Sequence, residues 1–300
     1  MHSISNSELQ LFVFEGGRAE SKYVEQLERN FLGKGISVKC VYDAEIYQLY
    51  KSLEKEELDF DMVELLKERS KENAELLKDY TRDSFAYIYL FFDYDAHSTL
   101  ADDGKIEEML EFFDNETENG LLYISYPMVE AIRHYKDLDS FKDLTVKCKR
   151  ANCTYKEECE DVEACLAEPH YKQFSASDCR QDLCNINKYT NDVWQELIYA
   201  HVAKMNYLVN GAFAYPEKME SQCDIFDKQL EKYVNHKCPM VAVLSAFPIY
   251  VLDYYGVETL KKKLERVLPR NGGTVPVFPE TLLILITSQH FSDSRHYLLA

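Results

Sequence analysis

The sequence contains little glycine, proline or tryptophan and has no long apolar run. Its 300 residues include 10 glycines, 8 prolines and one tryptophan, which excludes a collagen-like, low-complexity or largely disordered chain. The most apolar stretch, residues 240–252, is too short to span a bilayer and contains Pro248. Residues 1–10 are polar and lack the apolar core of a signal peptide. We therefore expect a soluble, cytoplasmic protein without a membrane partner.

Basic residues are also scarce, since 34 Lys and Arg face 52 Asp and Glu, for a net charge of −18. Such a chain does not attract nucleic acid or an anionic membrane through its bulk charge. The charge is uneven, because residues 1–140 hold 31 acidic and 15 basic side chains and residues 141–300 hold 21 and 19. A solvated helical face over residues 43–83 explains part of this asymmetry. The remainder predicts two regions with different roles.

The nine cysteines favour reduced thiols, because their number is odd and the chain shows no secretory feature. Six of them lie between Cys148 and Cys184. The pairs Cys148/Cys153 and Cys179/Cys184 each enclose four residues, a spacing that is compatible with a structural zinc site but not specific for one. Ordinary thiols are the favoured interpretation, and a zinc site is the alternative.

Hydrophobic patterns predict strands that alternate with helices in the first half. Four apolar or alternating runs predict strands: residues 9–14, 36–42, 85–92 and 121–125. This order is typical of an α/β protein with a parallel sheet and flanking helices, here over residues 1–140. A helical insert over about residues 43–83 separates the second and third strands. Residues 141–300 are predicted to be mainly helical, with a further strand over residues 281–287.

Carboxylates follow three of the predicted strands. Glu15 follows the first strand, Asp93 and Asp95 follow the third, and Glu130 comes shortly after the fourth. The carboxyl ends of parallel strands meet at one edge of a sheet, so these side chains are expected to converge. Converging carboxylates repel one another unless a cation lies between them, and oxygen ligands favour Mg²⁺ or Mn²⁺. The pattern predicts a metal site that activates water and stabilises phosphoryl charge.

Each of these acids also has a purely structural interpretation. Glu15 stands before a Gly-Gly turn, and an Asp-x-Asp sequence is common in loops that cap strands. Glu130 lies in a predicted first helical turn, where a carboxylate interacts favourably with the helix dipole. Three histidines are further candidates: His97 as a proton donor or ligand beside Asp95, His134 one turn after Glu130, and His201 on an apolar stripe typical of a core histidine.

Several short features occur in a fixed order along the first half: Glu15-Gly16 within the segment 15–23, then Asp93-x-Asp95, then Pro127-x-x-Glu130. The first two features resemble the Toprim domain, which is found in topoisomerases, bacterial primases and nucleases of the OLD and RloB-like families. The third, Pro127-x-x-Glu130, resembles a later segment of RloB-like proteins. The segment 15–23 is similar to the E-G-x-x-T-E-x-x-Y beginning of RloB-like proteins, with Ala19 where threonine is usual. The chain is too short for a topoisomerase and lacks the zinc ribbon of a primase, so the resemblance points to a stand-alone nuclease.

The resemblance implies a Toprim-like catalytic domain over residues 1–140 and a Mg²⁺- or Mn²⁺-dependent endonuclease acting on DNA or RNA. It implies roles for five acids: Glu15 as acid/base or metal ligand, Asp93 and Asp95 as metal ligands, and Glu20 and Glu130 as supporting acids. It further implies an anti-phage defence effector that works beside an ATPase partner, and it is compatible with a homodimer. The alternative is a non-catalytic Toprim-like binding subunit of a larger defence complex that contains an ATPase.

Overall fold

A computed structural model of the chain describes residues 8–17, 19–32, 37–56, 60–148, 171–236 and 238–265. The strand expected over residues 281–287 lies outside these ranges, as do Cys153, Cys159 and Cys165. Zinc binding by the clustered cysteines therefore stays an untested alternative to ordinary thiols.

A five-stranded sheet forms the centre of the fold. Its strands are β1 (Gln10–Phe14), β2 (Ser37–Val41), β3 (Tyr87–Asp93), β4 (Asp114–Asn115) and β5 (Gly120–Ser125), in the spatial order β2-β1-β3-β5-β4. The pairs β1–β2, β1–β3 and β3–β5 are parallel, and β4 runs antiparallel to β5. The α/β class and the four predicted strands are confirmed. The edge strand β4 was not predicted, because Asp and Asn are disfavoured in strands.

The helices of the described residues follow in chain order: α1 (Glu20–Leu27), α2 (Ile46–Glu56), α3 (Met62–Arg69), α4 (Lys71–Leu77), α5 (Asp103–Phe112), α6 (Leu138–Lys142), α7 (Tyr171–Asp178), α8 (Asn191–Asn210), α9 (Gln222–Gln229), α10 (Ala246–Tyr255) and α11 (Val257–Lys263). None of these helices is both long and apolar enough to cross a membrane. The insert between β2 and β3 holds three helices. Asp61 caps α3, and Ser70 caps α4 by accepting a hydrogen bond from the Asn73 amide.

Two departures from the expected pattern lie after β5. The segment after Pro127 forms a 3₁₀ helix, Val129–Arg133, in place of an α-helix, and four of its five residues are buried. Packing rather than helical periodicity therefore fixes its conformation. The second half is not helical throughout, because β6 (Thr145–Lys147) pairs with β7 (Met240–Ala242) as an antiparallel ribbon. Strands of three residues are too short to show a period in the sequence.

The core on one side of the sheet is built from stacked aromatic rings. Every residue of β3 is buried, as the continuous apolar run predicted. The centroid of the Phe91 ring lies 4.9 Å from that of Phe247 and 5.3 Å from that of Tyr123, and both pairs are stacked. The ring centroids of Tyr89 and Tyr250 lie 4.9 Å apart in an edge-to-face arrangement. Helix α10 therefore packs on the sheet, and residues from both sides of position 140 share the core. The division of the chain into two regions near residue 140 stays a prediction.

Gly120 opens β5 where a side chain has no room. Its φ is +123°, and a Cβ atom would lie 2.5 Å from Leu90 Cδ1 and 3.0 Å from Ile88 Cγ2. We expect Gly120→Ala to lower the free energy of unfolding by about 2 kcal/mol, from backbone strain and overpacking together. Urea denaturation measures the change. Gly211→Ala is the matched control, because Gly211 has φ +79° but open space around it. Equal losses in the two variants would contradict the steric argument.

The side chain of Lys204 is buried. Within the described residues, its hydrogen bonds go to main-chain carbonyl groups. Its Nζ donates to the carbonyls of Phe141 (2.8 Å) and Leu144 (2.6 Å). Burial lowers the pKa of Lys204 to about 7, although the negative charge of Asp143 acts to raise it. Above that pH the folded protein releases a proton that the unfolded chain keeps until about pH 10, so stability rises with pH in this window.

The expected contribution of Lys204 to this gain between pH 7 and pH 8.5 is about 1.5 kcal/mol in the free energy of unfolding, taken as the difference between the wild type and Lys204→Met. Urea denaturation at the two pH values measures it. Lys204→Met lacks the titrating group and is expected to lose this increment, whatever its effect at pH 7. The same pH dependence in both proteins would show that Lys204 keeps its charge in the folded state.

Candidate carboxylate site

The carboxyl ends of the four parallel strands lie at one edge of the sheet, and the main chain holds Glu15 near its middle. The Glu15 amide donates to the Phe91 carbonyl at 3.0 Å, which continues the β1–β3 ladder by one residue. The Glu15 carbonyl accepts from the Asp43 amide at 2.9 Å, which ties it to the residues after β2. The backbone of Glu15 is therefore fixed between both neighbouring strands.

The Glu15 carboxylate reaches across the edge to β3. Its Oε2 accepts a hydrogen bond of 2.9 Å from the Asp93 amide. Burial raises the pKa of Glu15 to about 8, although the hydrogen bond from the Asp93 amide lowers it. The negative charges of Asp95, Glu20 and Glu45 also raise this pKa. A carboxyl group with this pKa is able to give or take a proton near neutral pH.

Asp93 ends β3, and the charges of four neighbouring acids act on it. Only 7% of the residue is exposed. Burial raises its pKa well above the usual range, and the like charges of Glu15, Glu20, Glu130 and Asp95 raise it further. The five acids predicted from the sequence are thus close enough to interact electrostatically at one edge of the sheet.

Glu20 folds back over the turn that precedes its own helix. Its Oε1 accepts from the Gly16 amide and its Oε2 from the Ala19 amide, each at 3.2 Å. A Cβ at Gly16 would lie 3.3 Å from Glu20 Oε1, so a glycine gives this carboxylate its space. Burial raises the pKa of Glu20, helped by Glu130 and opposed by these amides. Both oxygens of Glu20 thus accept hydrogen bonds from the turn, and its role as a supporting acid stays a prediction.

Asp95 lies at the more open side of the site, with 12% of its side chain exposed. His97 Nδ1 lies 3.1 Å from Asp95 Oδ1. Burial raises the pKa of Asp95, His97 opposes the shift, and a hydrogen bond with the Glu45 side chain adds to it. Glu45 was not singled out from the sequence. The same strand-end reasoning applies to it, because it follows β2, but it is one of many acids in a helix-like segment.

Glu130 approaches from the 3₁₀ helix after β5 and is only 5% exposed. Its Oε1 lies 3.4 Å from Nζ of Lys172 on α7, and its Oε2 is a buried oxygen without a hydrogen-bond partner. Arg133 Nη2 donates to the Lys172 carbonyl at 2.9 Å, which holds α7 against the 3₁₀ helix. Helix α7 thus brings a basic side chain to the acidic edge, a contribution that no local sequence pattern indicates.

The other two histidines serve packing. His134 is buried and lies within hydrogen-bond distance of Tyr171 Oη (3.0 Å) and Asp178 Oδ2 (3.1 Å), both on α7. Burial lowers the pKa of His134, against the hydrogen bond with Asp178. His201 is fully buried, accepts from the Ser245 amide at 3.1 Å, and has a pKa lowered by burial to about 3. The prediction of a core histidine at position 201 is confirmed.

The donor set fits a small, hard divalent cation. It consists of carboxylate oxygens, which are hard ligands. Burial raises the pKa values of Glu15 and Asp93, and the like charges of neighbouring acids raise them further. Glu130 Oε2 is a buried oxygen without a hydrogen-bond partner. A cation at this edge would relieve the repulsion between these like charges. Within the described ranges, however, no three Asp, Glu, His or Cys side chains form a ready-made metal-binding group. Metal ligation by Glu15, Asp93 and Asp95 therefore stays a prediction.

Comparisons of the chain with protein-family models, with curated proteins and with solved structures found no match. The resemblance to Toprim proteins accordingly rests on the motifs of the sequence.

Proposed function

We propose that the protein is a Mg²⁺- or Mn²⁺-dependent endonuclease that cleaves phosphodiester bonds in DNA or RNA. The observation that carries the proposal is the convergence of buried and partly buried acids from separate segments on one edge of a parallel sheet. Burial raises the pKa values of Glu15, Asp93 and Asp95 there, and the like charges of neighbouring acids raise them further. Structural acids are normally paired or exposed, so an unneutralised buried cluster is a candidate functional site.

The residues divide into three roles under this proposal. Asp93 and Asp95 would hold the cation together with Glu15, and the cation when bound supplies charge stabilisation at the phosphate and an acidified water. Where Glu15 is not a ligand of the cation, its carboxyl group would instead exchange a proton with the attacking water or the leaving oxygen, because burial raises its pKa to about 8 in the metal-free protein. Lys172 places a positive charge beside Glu130, where a substrate phosphate gains a favourable contact.

The resemblance to RloB-like and OLD-family nucleases extends the proposal to an anti-phage effector with an ATPase partner. The net charge of −18 is compatible with this role, because the protein does not hold nucleic acid through bulk charge. The nucleic acid substrate would then be bound at the carboxylate site itself or by the ATPase partner. A cytoplasmic location follows as an expectation from the same role.

A non-catalytic binding subunit is the second candidate, and a specific observation favours it. Both oxygens of Glu20 and Oε2 of Glu15 already accept hydrogen bonds from backbone amides. The described residues also contain no ready-made metal-binding group. Under this alternative the buried acids are protonated structural groups of a degenerate nuclease fold.

We expect the purified protein to cut at least one of three substrates, namely supercoiled plasmid, single-stranded DNA or transfer RNA, in Mg²⁺ or Mn²⁺ and not in EDTA. Gel electrophoresis of each reaction over time measures the cleavage. Equal cleavage in EDTA would contradict the role of the metal. Metal-dependent retention of nucleic acid without any cut product would instead favour the binding subunit.

A further inference from the structure

Two cysteines meet at the end of α7, away from the proposed metal ligands. Cys179 immediately follows the helix, and Cys184 closes the 3₁₀ turn Gln181–Cys184. Their Sγ atoms lie 3.4 Å apart. A disulfide requires a bond of about 2.05 Å between the sulfurs, so small rotations of two side chains close the remaining distance.

The main chain around the pair is firmly anchored. The Arg180 amide donates to the Tyr135 carbonyl at 3.0 Å, and the Leu183 amide donates to the Arg180 carbonyl at 2.9 Å. The Arg180 guanidinium also makes two hydrogen bonds of 2.8 Å to the carboxylate of Glu196 on α8. The turn therefore holds the two sulfurs in contact.

The two thiols differ in access to dissolved oxidants. Cys184 is exposed and Cys179 is partly buried, whereas Cys40 and Cys148 are buried. Burial and the hydrogen bond with Cys184 raise the pKa of Cys179 to about 11, against the charge of Arg133. Cys184 is therefore the thiol that a dissolved oxidant reaches first, and Cys179 is the neighbour that resolves the product.

We propose that Cys179 and Cys184 form a reversible intramolecular disulfide and so make this turn a thiol–disulfide redox site. The oxidant is a low-molecular-weight disulfide such as glutathione disulfide. The Cys184 thiolate attacks one of its sulfurs, a mixed disulfide forms, and one glutathione thiolate leaves. Cys179 then loses its proton to solvent and attacks Cys184 Sγ, which releases the second glutathione. Two protein thiols are oxidised by two electrons, and one glutathione disulfide is reduced to two thiols.

The position of the pair gives the bond a structural consequence. Helix α7 contributes Lys172 beside Glu130 and Tyr171 beside His134. The disulfide would fix the carboxyl end of this helix to the turn that Arg180 anchors on α8. The proposal concerns the thiols alone and does not depend on the protein being a nuclease.

The sequence allows a direct test, because Arg180 lies between the two cysteines. Trypsin cleaves after Lys172, Arg180 and Lys188, so Cys179 and Cys184 fall in separate peptides, 173–180 and 181–188. The full-length protein is equilibrated in a series of glutathione redox buffers, its free thiols are alkylated, and the digest is analysed by mass spectrometry without reduction. We expect peptides 173–180 and 181–188 to appear joined, in a fraction that rises with oxidised glutathione and falls again on return to reducing buffer.

Two variants sharpen the result. Cys184→Ser is expected to leave peptide 173–180 alkylated or joined to one glutathione, and Cys223→Ser is expected to leave the joined pair unchanged. Recovery of both peptides as alkylated thiols at every glutathione ratio would overturn the proposal. So would joining of either peptide mainly to another cysteine of the chain.

Discussion

Asp93→Asn is expected to lower the rate of metal-dependent nucleic-acid cleavage by about 10³-fold or more. Asp93 ends β3 at the middle of the carboxylate edge, and burial together with four neighbouring acids acts on its charge. Asparagine keeps the shape and removes the charge, so cation binding and phosphate stabilisation are lost together. Glu15→Gln is expected to give a loss of the same order, because it removes both a ligand and the proton-exchanging group.

Exposed acids provide the matched controls for these two variants. Asp139→Asn on α6 and Glu72→Gln on α4 change charge by the same amount at exposed positions. We expect both controls to retain the wild-type rate within about twofold. Initial rates on the substrate that the wild type cuts, measured at several Mn²⁺ concentrations, compare all five proteins. Wild-type rates for Asp93→Asn would contradict the assignment of the site.

The same Asp93→Asn substitution is expected to stabilise the protein in EDTA at pH 8. The pKa of Asp93 is raised in the folded state, so the folded protein binds more protons than the unfolded chain above about pH 4. The Asp93 carboxyl group therefore lowers the stability of the wild type as pH rises through this range, whereas the asparagine variant has no carboxyl group at this position to titrate. The gain should be small at pH 5 and larger at pH 8.

Urea denaturation in EDTA at the two pH values measures this difference, with Asp139→Asn as the control that stays within about 0.5 kcal/mol of the wild type. A destabilised Asp93→Asn protein at pH 8 would show that the ionised carboxylate has favourable partners in the fold. Loss of activity together with gain of stability would mark Asp93 as a residue kept for function at a cost in stability.

Much of the fold could be predicted because its strands carry strong signals. The apolar run that became β3 is buried throughout, and parallel strand ends brought Glu15 and Asp93 to one edge as expected. Glu45 was not predicted, because it follows β2 within an acid-rich, helix-like segment in which no single acid stands out. Lys172 could not be found at all, since its contact with Glu130 joins positions that are 42 residues apart without any shared pattern.

The hydrogen bonds and contacts of individual side chains could not be predicted from the sequence, for a different reason. Spacing places Glu20 near the first strand end, but only the folded turn shows that the Gly16 and Ala19 amides occupy its oxygens. The Cys179/Cys184 spacing likewise allowed several interpretations, and the 3.4 Å contact depends on a turn anchored by Arg180. The direction of a side chain within a turn depends on such tertiary hydrogen bonds, and the hydrophobic pattern of a sequence does not predict them.

Calorimetric titration of Mn²⁺ into the metal-free protein tests the central claim most directly, because it measures the cation site without requiring a substrate or a partner. The wild type and the Asp93→Asn variant are titrated at pH 8 in the same buffer, with Asp139→Asn as the control. We predict saturable binding by the wild type and the control, and an affinity at least about tenfold weaker in Asp93→Asn. Equal affinity in all three proteins, or no saturable binding by the wild type, would contradict the account.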